Sequence, residues 1–310
     1  VAVFGLTELA VQLPSVLSGT LAVLLAYFLI HELFGKRPMA LLTSFLLAIS
    51  PWHLNLSRAG FEANIALAFL LLGAYLVLRA RQKPSLFLWC WIPFILAMYT
   101  FNSARYSGPL IALGLIFFCQ KEMRLRFRHV VLGMIIGSVA LLPILPHLFS
   151  RESRLRFTEV NIFSDAVIVK SANQRMELDG NTWWAKILHN RRIGYAKSYL
   201  THFLDNVEPW FLFVRGDGNP KFSIQDVGQL YLIELPFLII GIVGLFRSYP
   251  RVAWLALYWI IATIIPAATA RETPHALRIE HSLPMWQLFI AFAIISNFKF
   301  LISKKKKLLY

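Results

Sequence analysis

The chain has 310 residues, of which 57% are hydrophobic and 15% charged, with a mean hydropathy of +0.60. An average soluble domain is about 25% charged, so an ordinary water-soluble fold is excluded, as is a disordered chain poor in large apolar residues. The formal net charge of +15 invites a nucleic-acid reading, but the placement of the cations, taken below, decides against it.

A bilayer core of about 30 Å is crossed by about 20 apolar residues in a helix. Nine runs fit that use: residues 13–33, 41–52, 61–78, 86–101, 108–119, 130–149, 230–246, 252–269 and 283–297. The second and fifth are short and need flanking residues, tilt or burial in protein. Pro143, Pro146, Pro236 and Pro266 fall inside runs, where neighbours must satisfy the freed carbonyls. Cys90 and Cys119 lie in apolar runs, with no disulfide framework and no metal-ligand spacing.

Nine spans send the loops to alternate sides. One side collects Lys36, Arg37, Arg79, Arg81, Lys83, Lys121, Arg124, Arg126, Arg128, Arg247, Arg251, Lys299 and Lys304 to Lys307, sixteen basic residues in all. The short loops of the other side hold four, Arg58, Arg105, Arg271 and Arg278. Short loops rich in Lys and Arg stay cytoplasmic, so the charge is a topology signal. It forms no basic stripe with interleaved aromatics, and no nucleic-acid partner is expected. The tetralysine reads as an anchor to anionic lipid.

Four polar segments then share the extracytoplasmic face: SPWHLNLSRAGFE (residues 50–62), FNSARYS (101–107), the long stretch 150–229, and RETPHALRIEH (271–281). Each short segment sets an arginine beside an apolar helix end. Charge at membrane depth is costly and usually faces a cavity or a partner, although a single arginine at a helix end often only snorkels. The planar guanidinium suits phosphate, because it donates two parallel hydrogen bonds. Several arginines converging there imply an anionic headgroup such as a lipid phosphate. Glu62 follows Arg58 at i+4, which on one helix would put the two on one face with Ser57 and Asn55 alongside.

Eighty residues are too many for a structureless connection, so 150–229 is expected to fold. Over 181–213, aromatic and basic positions interleave, with Trp183, Trp184, Ile187, Tyr195, Tyr199, Phe203, Trp210 and Phe211. That pattern predicts one or two helices lying in the membrane interface, against the alternative of a folded cap with no chemistry; both hold together if the cap is a lid over a lipid-facing cavity. His189, His202, Asp179, Asp205 and Glu208 lack ligand spacing and read as structural, and GDGNP at 216–220 reads as turn chemistry. Glu234 is the one acid read near a span interior. No phosphate loop, dinucleotide fingerprint, HExxH zinc motif or nucleophile elbow is present.

The stretch FGLTELAVQLPSVLSGTLAVLLAYFLIHELFG (residues 4–35), the 50–62 segment, FLFVRGDGNPKFSIQDVGQLYLIELP (211–236) and PHALRIEHSLP (274–284) resemble the polyprenyl-phosphate-sugar-dependent glycosyltransferases of the GT-C fold. The protein O-mannosyltransferase-like and aminoarabinose-transferase-like groups are the nearest in pattern. The resemblance implies an all-α polytopic transmembrane helix bundle in the cell membrane, with a long extracytoplasmic loop containing interfacial helices. Three parts are expected: N-terminal transmembrane helices over 1–149, a loop or cap over 150–229, and C-terminal helices with a basic tail over 230–310.

It also implies an active site on the outer face, where a sugar passes from a polyprenyl-phosphate carrier to a protein, lipid or glycan acceptor. Membrane lipid and the carrier-linked sugar are the expected partners. No nucleotide is required, no cofactor is implied with certainty, and a role for a divalent metal is left open. By the match, Ser57 and Arg58 bind the carrier phosphate; from the other polar segments, Arg105, Tyr106, Arg271, His275 and Arg278 are expected in the surrounding shell. Gln12 stands where the family usually has Arg before Leu-Pro. The chain begins at Val1, so it reads as N-terminally truncated, with the family's catalytic acid expected upstream and Glu62 the candidate within the sequence. A lipid-linked-sugar transporter and a non-catalytic scaffold are the competing classes.

Overall fold

The computed structural model describes Gly5 and residues 7–308, with side chains omitted for residues 156 and 298–308. Phe4 and Leu6 of the first resembling stretch, and the side chains of Lys299 and the tetralysine, therefore lie outside the described residues. No strand occurs among the described residues, and the protein is an all-α polytopic membrane bundle. Each of the nine apolar runs is helical over most of its length.

Helix α1 (Glu8–Phe34) starts where the Thr7 hydroxyl accepts the Ala10 N–H at 3.2 Å and ends at Gly35, whose φ of 63° closes the last turn. The second run is a broken span. Helix α2 (Arg37–Ile49) and α3 (Pro51–Arg58) meet at 58°, because Pro51 disfavours helical backbone at Ser50, which is extended at ψ 128°. Helix α4 (Glu62–Arg79) follows. A 3₁₀ turn (Pro84–Leu88) leads to α5 (Trp91–Thr100), and α6 (Ala104–Phe118) and the short α7 (Gln120–Leu125) come next. Helix α8 (Phe127–Leu141) continues through the turn at Pro143 into α9 (Leu145–Leu148), where Pro146 takes a first-turn position and so costs no hydrogen bond.

The long connection folds as α10 (Arg151–Val160), α11 (Ala166–Leu178), α12 (Trp183–Leu188), α13 (Arg191–Asp205) and a π turn (Phe211–Arg215). The last part is α14 (Glu234–Ser248), α15 (Pro250–Ala267), the single turn α16 (Ala276–Ile279) and α17 (Met285–Leu308). Helix α17 also continues a bent span, at 54° to Ala276–Ser282, with Leu283-Pro284 at the bend.

Among the described residues, four helices are long and apolar enough to cross a membrane, or up to six if each bent pair is one span. Ala104–Phe118 is a shorter apolar helix, as its run predicted, and so is Pro84–Thr100, whose run gave no such sign. Helix α1 packs on α4 and α2, α5 bridges α4 and α6, α15 lies on α6, and α17 lies on α14 and α2. The α1–α4 contact has a polar stitch: Asn64 Nδ2 donates to the Ser15 carbonyl at 2.6 Å. Helix α8 instead turns Leu132, Ile135 and Val139 outward, which suits lipid. In the cap, α12 exposes Trp183, Ile187 and Leu188, and α13 exposes Leu200 and Leu204.

Candidate functional site

The four polar segments that the sequence assigns to one side meet in the structure. Trp52 Nε1 donates to the Ala276 carbonyl at 3.1 Å, joining α3 to α16. Ser103, ahead of α6, donates to the Arg278 carbonyl at 3.1 Å, and Ser107 Oγ lies 3.0 Å from His281 Nδ1. Asn55 Nδ2 reaches the Lys221 carbonyl at 3.5 Å. Three rings run across the junction: Phe61 lies 5.4 Å from Phe222, and Phe222 lies 4.7 Å from His275. Residues 50–62, 101–107, 205–230 and 270–283 thus form one polar head on the bundle.

Arg58 closes α3 and is exposed, with no hydrogen-bond or ion-pair partner among the described residues. Ser57, one residue before it, is half-buried against Gly19 and donates its hydroxyl to the His53 carbonyl at 2.6 Å. The expectation that Glu62 shares a helical face with Arg58 is corrected. The helix stops at Arg58, Gly60 turns the chain at φ 74°, and Glu62 opens α4 as its first residue. A left-handed glycine ends the periodicity on which an i+4 pairing depends. Glu62 stays exposed at the N-terminus of α4, where the helix dipole favours its charge.

Arg105, in the first turn of α6, is half-buried and directs Nε to the Met98 carbonyl at 3.3 Å, while Tyr106 is 57% exposed beside it. Arg278 is half-buried at the end of α16. Arg271 is committed elsewhere. Its Nε donates to the Asn161 carbonyl at 3.2 Å, and its terminal nitrogen donates to Thr158 and Ser164 carbonyls at 3.2 and 3.0 Å. Those carbonyls close α10 and the turn after it, so the guanidinium ties the cap to the bundle. Arg271→Ala is expected to release that tie at a cost of about 2 kcal/mol, the worth of a charge-assisted hydrogen bond. Limited proteolysis should then cut residues 151–165 faster than in the wild type. An unchanged cleavage rate would show that other contacts hold the cap.

His275 caps α16 and is buried. Its backbone N–H donates to Asn206 Oδ1 at 3.1 Å. Asp217, within the GDGNP turn, is also buried, and its Oδ2 accepts the Ala276 N–H at 2.7 Å while Oδ1 accepts the Asn219 N–H at 2.9 Å. The turn chemistry read from the sequence is present, but the aspartate in it joins the cap to the segment before α17. Burial raises the Asp217 carboxyl above the usual range, against the two N–H groups that lower it. Burial, and then the Arg278 guanidinium, pull His275 down to about 3. The ring is therefore neutral near pH 7, and its 4.0 Å approach to Asp217 is not an ion pair.

A sign follows for stability. Between about 3 and its unfolded value near 6.5, His275 binds a proton in the unfolded chain and none in the folded one. Its contribution is lost as pH falls through that window. Measured against His275→Phe, which keeps the stack on Phe222, the wild type is expected to lose about 1.4 kcal/mol per pH unit below 6.5. Asp217 acts in the opposite direction, but both proteins carry it, so the difference isolates the histidine. Parallel melting-against-pH curves would place the ring in water instead.

The sequence reading passed over Glu280 and His281, both fully buried at the head of the last bent span. Both Glu280 carboxyl oxygens lack a hydrogen-bond partner among the described residues. Glu234, read as the one acid near a span interior, accepts the Tyr231 N–H at 2.9 Å. Among the described residues, no three His, Cys, Asp or Glu side chains are grouped to hold a metal ion. His189 meets Asp179 at 2.7 Å, His202 lies 2.8 Å from the Ala270 carbonyl, and Asp205 accepts from Thr273 at 2.8 Å; each of these bonds holds the cap together or ties it to the bundle.

Residues 1–149 match the family described as dolichyl-phosphate-mannose-protein mannosyltransferase. A stretch of 109 residues is 32% identical to YkcB of Bacillus subtilis (strain 168), which is named as a mannosyltransferase; it covers 35% of this chain and 15% of YkcB. A crystal structure of ArnT from Cupriavidus metallidurans bound to undecaprenyl phosphate aligns with 94% of this chain and 47% of its own, at 18% identity and a TM-score of 0.47. The chain spans less than half the length of either protein. Over residues 1–149 the chain is thus similar to the membrane glycosyltransferases of the GT-C family.

Proposed function

We propose that the protein transfers a sugar from a polyprenyl-phosphate carrier to an acceptor on the extracytoplasmic side of the membrane. The observation that carries this reading is Arg58, an exposed guanidinium without a partner among the described residues, set at the end of a broken span. It lies within the residues that match a family named for a dolichyl-phosphate-linked sugar. The side of the membrane follows from the loop charges, since this polar head lies opposite the basic loops.

In the proposed reaction an acceptor oxygen attacks the anomeric carbon of the sugar. The bond from that carbon to the phosphate oxygen breaks, the lipid phosphate leaves with the electron pair, and the acceptor proton passes to a carboxylate. Negative charge grows on the leaving phosphate, so a fixed guanidinium there stabilises the transition state more than the ground state. Arg58 takes that role, with Ser57 holding the end of α3. Arg105, Tyr106, His275 and Arg278 belong to the same polar head, and Arg271 contributes by fastening the cap. Glu62 is the exposed carboxylate nearest in sequence and is the candidate base within this chain. Residues 150–229 act as the cap over the two sets of transmembrane helices, 1–149 and 230–310.

The test uses the complete protein in vesicles with polyprenyl-phosphate carrying a radiolabelled mannose. Label recovered in covalent linkage to an added peptide, lipid or glycan acceptor supports transfer. Intact labelled carrier crossing the bilayer, with no covalent product, assigns transport and overturns the reading.

A further inference from the structure

The far end of the bundle holds a cavity of about 440 Å³ that the proposed reaction does not use. Arg58 lies near the start of α1, since a Cβ at Gly60 would sit 3.3 Å from the Val11 carbonyl. The cavity lies at the other end of α1, beside Phe34, so the stretch of that helix from Val11 to Phe34 separates the two by about 35 Å at ~1.5 Å per residue. Its wall is apolar: Phe34 from α1, Met39 from α2, and Phe292 and Ile295 from α17. Tyr249, between α14 and α15, is fixed at its edge, with its ring 5.2 Å from Phe34 and 6.1 Å from Phe292. Lys36 lies over that ring at 5.0 Å from its centre and donates a hydrogen bond to its hydroxyl.

The charge around this mouth is one-sided. Arg37, Arg247 and Arg251 are exposed on the residues that flank it, and neither 34–39 nor 247–251 contains an acid. The nearest acid along α1, Glu32, is taken up by Arg79 at 2.8 Å. An apolar cleft between transmembrane helices, with uncompensated cations at the level of the helix ends, has the chemistry of an anionic lipid site: acyl chain inside, phosphate at the rim. A zwitterionic lipid would bring its own cation to the same rim and lose that attraction.

We propose that this cavity binds one anionic phospholipid, its phosphate held by Lys36 with Arg37, Arg247 and Arg251 around it, and its chain lying against Met39, Phe292 and Ile295. The site is separate from the proposed transfer chemistry and stands or falls without it.

Native mass spectrometry of the delipidated full chain, titrated with phosphatidylglycerol or with phosphatidylcholine, tests this. One phosphatidylglycerol is expected to bind at least fivefold tighter than phosphatidylcholine. Lys36→Ala with Arg37→Ala is expected to abolish that preference. Ser296→Phe, which fills the cavity from an exposed position without changing charge, is expected to weaken binding at least fivefold. Arg124→Ala with Arg126→Ala, exposed cations away from the cavity, is the control and is expected to bind as the wild type does. Equal binding of the two lipids, an equal loss in the control pair, full binding by Ser296→Phe, or displacement of the lipid by inorganic phosphate at millimolar concentration would each overturn the proposal.

Discussion

Arg58→Ala in the complete protein is expected to lower sugar transfer at least tenfold while leaving its yield in the membrane unchanged. The two halves of that statement have separate physical grounds. Arg58 is the last residue of α3, exposed, with no partner among the described residues, so its loss leaves no buried group unpaired. Surface changes of that kind shift stability by about 0.5 kcal/mol or less. A guanidinium facing a developing phosphate charge contributes much more, since charge-assisted hydrogen bonds are worth about 1.5–3 kcal/mol each and a tenfold rate change needs only about 1.4. Arg58→Lys should fall between the two, because an ammonium keeps the charge and loses the two parallel donors.

The kinetic split shows where the energy acts. If Arg58 grips the carrier phosphate equally before and during reaction, KM rises and kcat holds. If it meets charge that appears only as the bond breaks, kcat falls instead. Arg271→Ala serves as the contrast, since that side chain is bonded to three carbonyls of the cap and is expected to change cap release before it changes chemistry. Turnover at the wild-type level in Arg58→Ala would reduce Arg58 to a snorkelling side chain and remove it from the site.

The helices were legible because lipid and the bundle interior both demand apolar side chains, and long runs of them can satisfy their backbone only as helix. The bends were less legible. Hydropathy runs smoothly through residues 41–52, yet Pro51 breaks the span; at Pro284 the bend joins an apolar run to a segment that reads as a polar loop. The convergence of the four polar segments followed from alternation of loops, which needs no knowledge of contacts. What individual side chains do there did not follow. Asp217 looks like ordinary turn composition, and its role depends on the Ala276 N–H, 59 positions along the chain. Glu280 and His281 carry charge-bearing side chains beside Arg278, so they read as loop residues. The structure buries them because Ser107 meets the His281 ring and the indole N–H of Trp259 reaches the His281 carbonyl at 2.7 Å. Arg58 and Glu62 show the opposite failure, where spacing promised a pair and one glycine cancelled it.

Gly241→Val is expected to be the most damaging single change in the membrane core. Helices α14 and α17 cross so closely that a Cβ at Gly241 would sit 1.9 Å from the Phe289 carbonyl oxygen and 2.6 Å from its carbon. Both are backbone atoms, so no side chain can swing away and the helices must separate. Close approach through small residues is the main source of helix association in lipid, where no hydrophobic gain replaces lost packing. Overpacking of this kind costs about 3 kcal/mol or more. The damage would also travel. Helix α17 continues, through the bend at Pro284, into the segment that carries Arg278 and His275, so parting α14 from α17 moves one wall of the polar head. Gly244→Ala provides the comparison: its Cβ would meet the ring edge of Phe292 at 3.0 Å, and a ring can rotate. In detergent, Gly241→Val should melt well below the wild type and lose transfer, while Gly244→Ala should stay close to it. Equal melting of Gly241→Val and wild type would mean that α14 and α17 do not hold this crossing in the membrane.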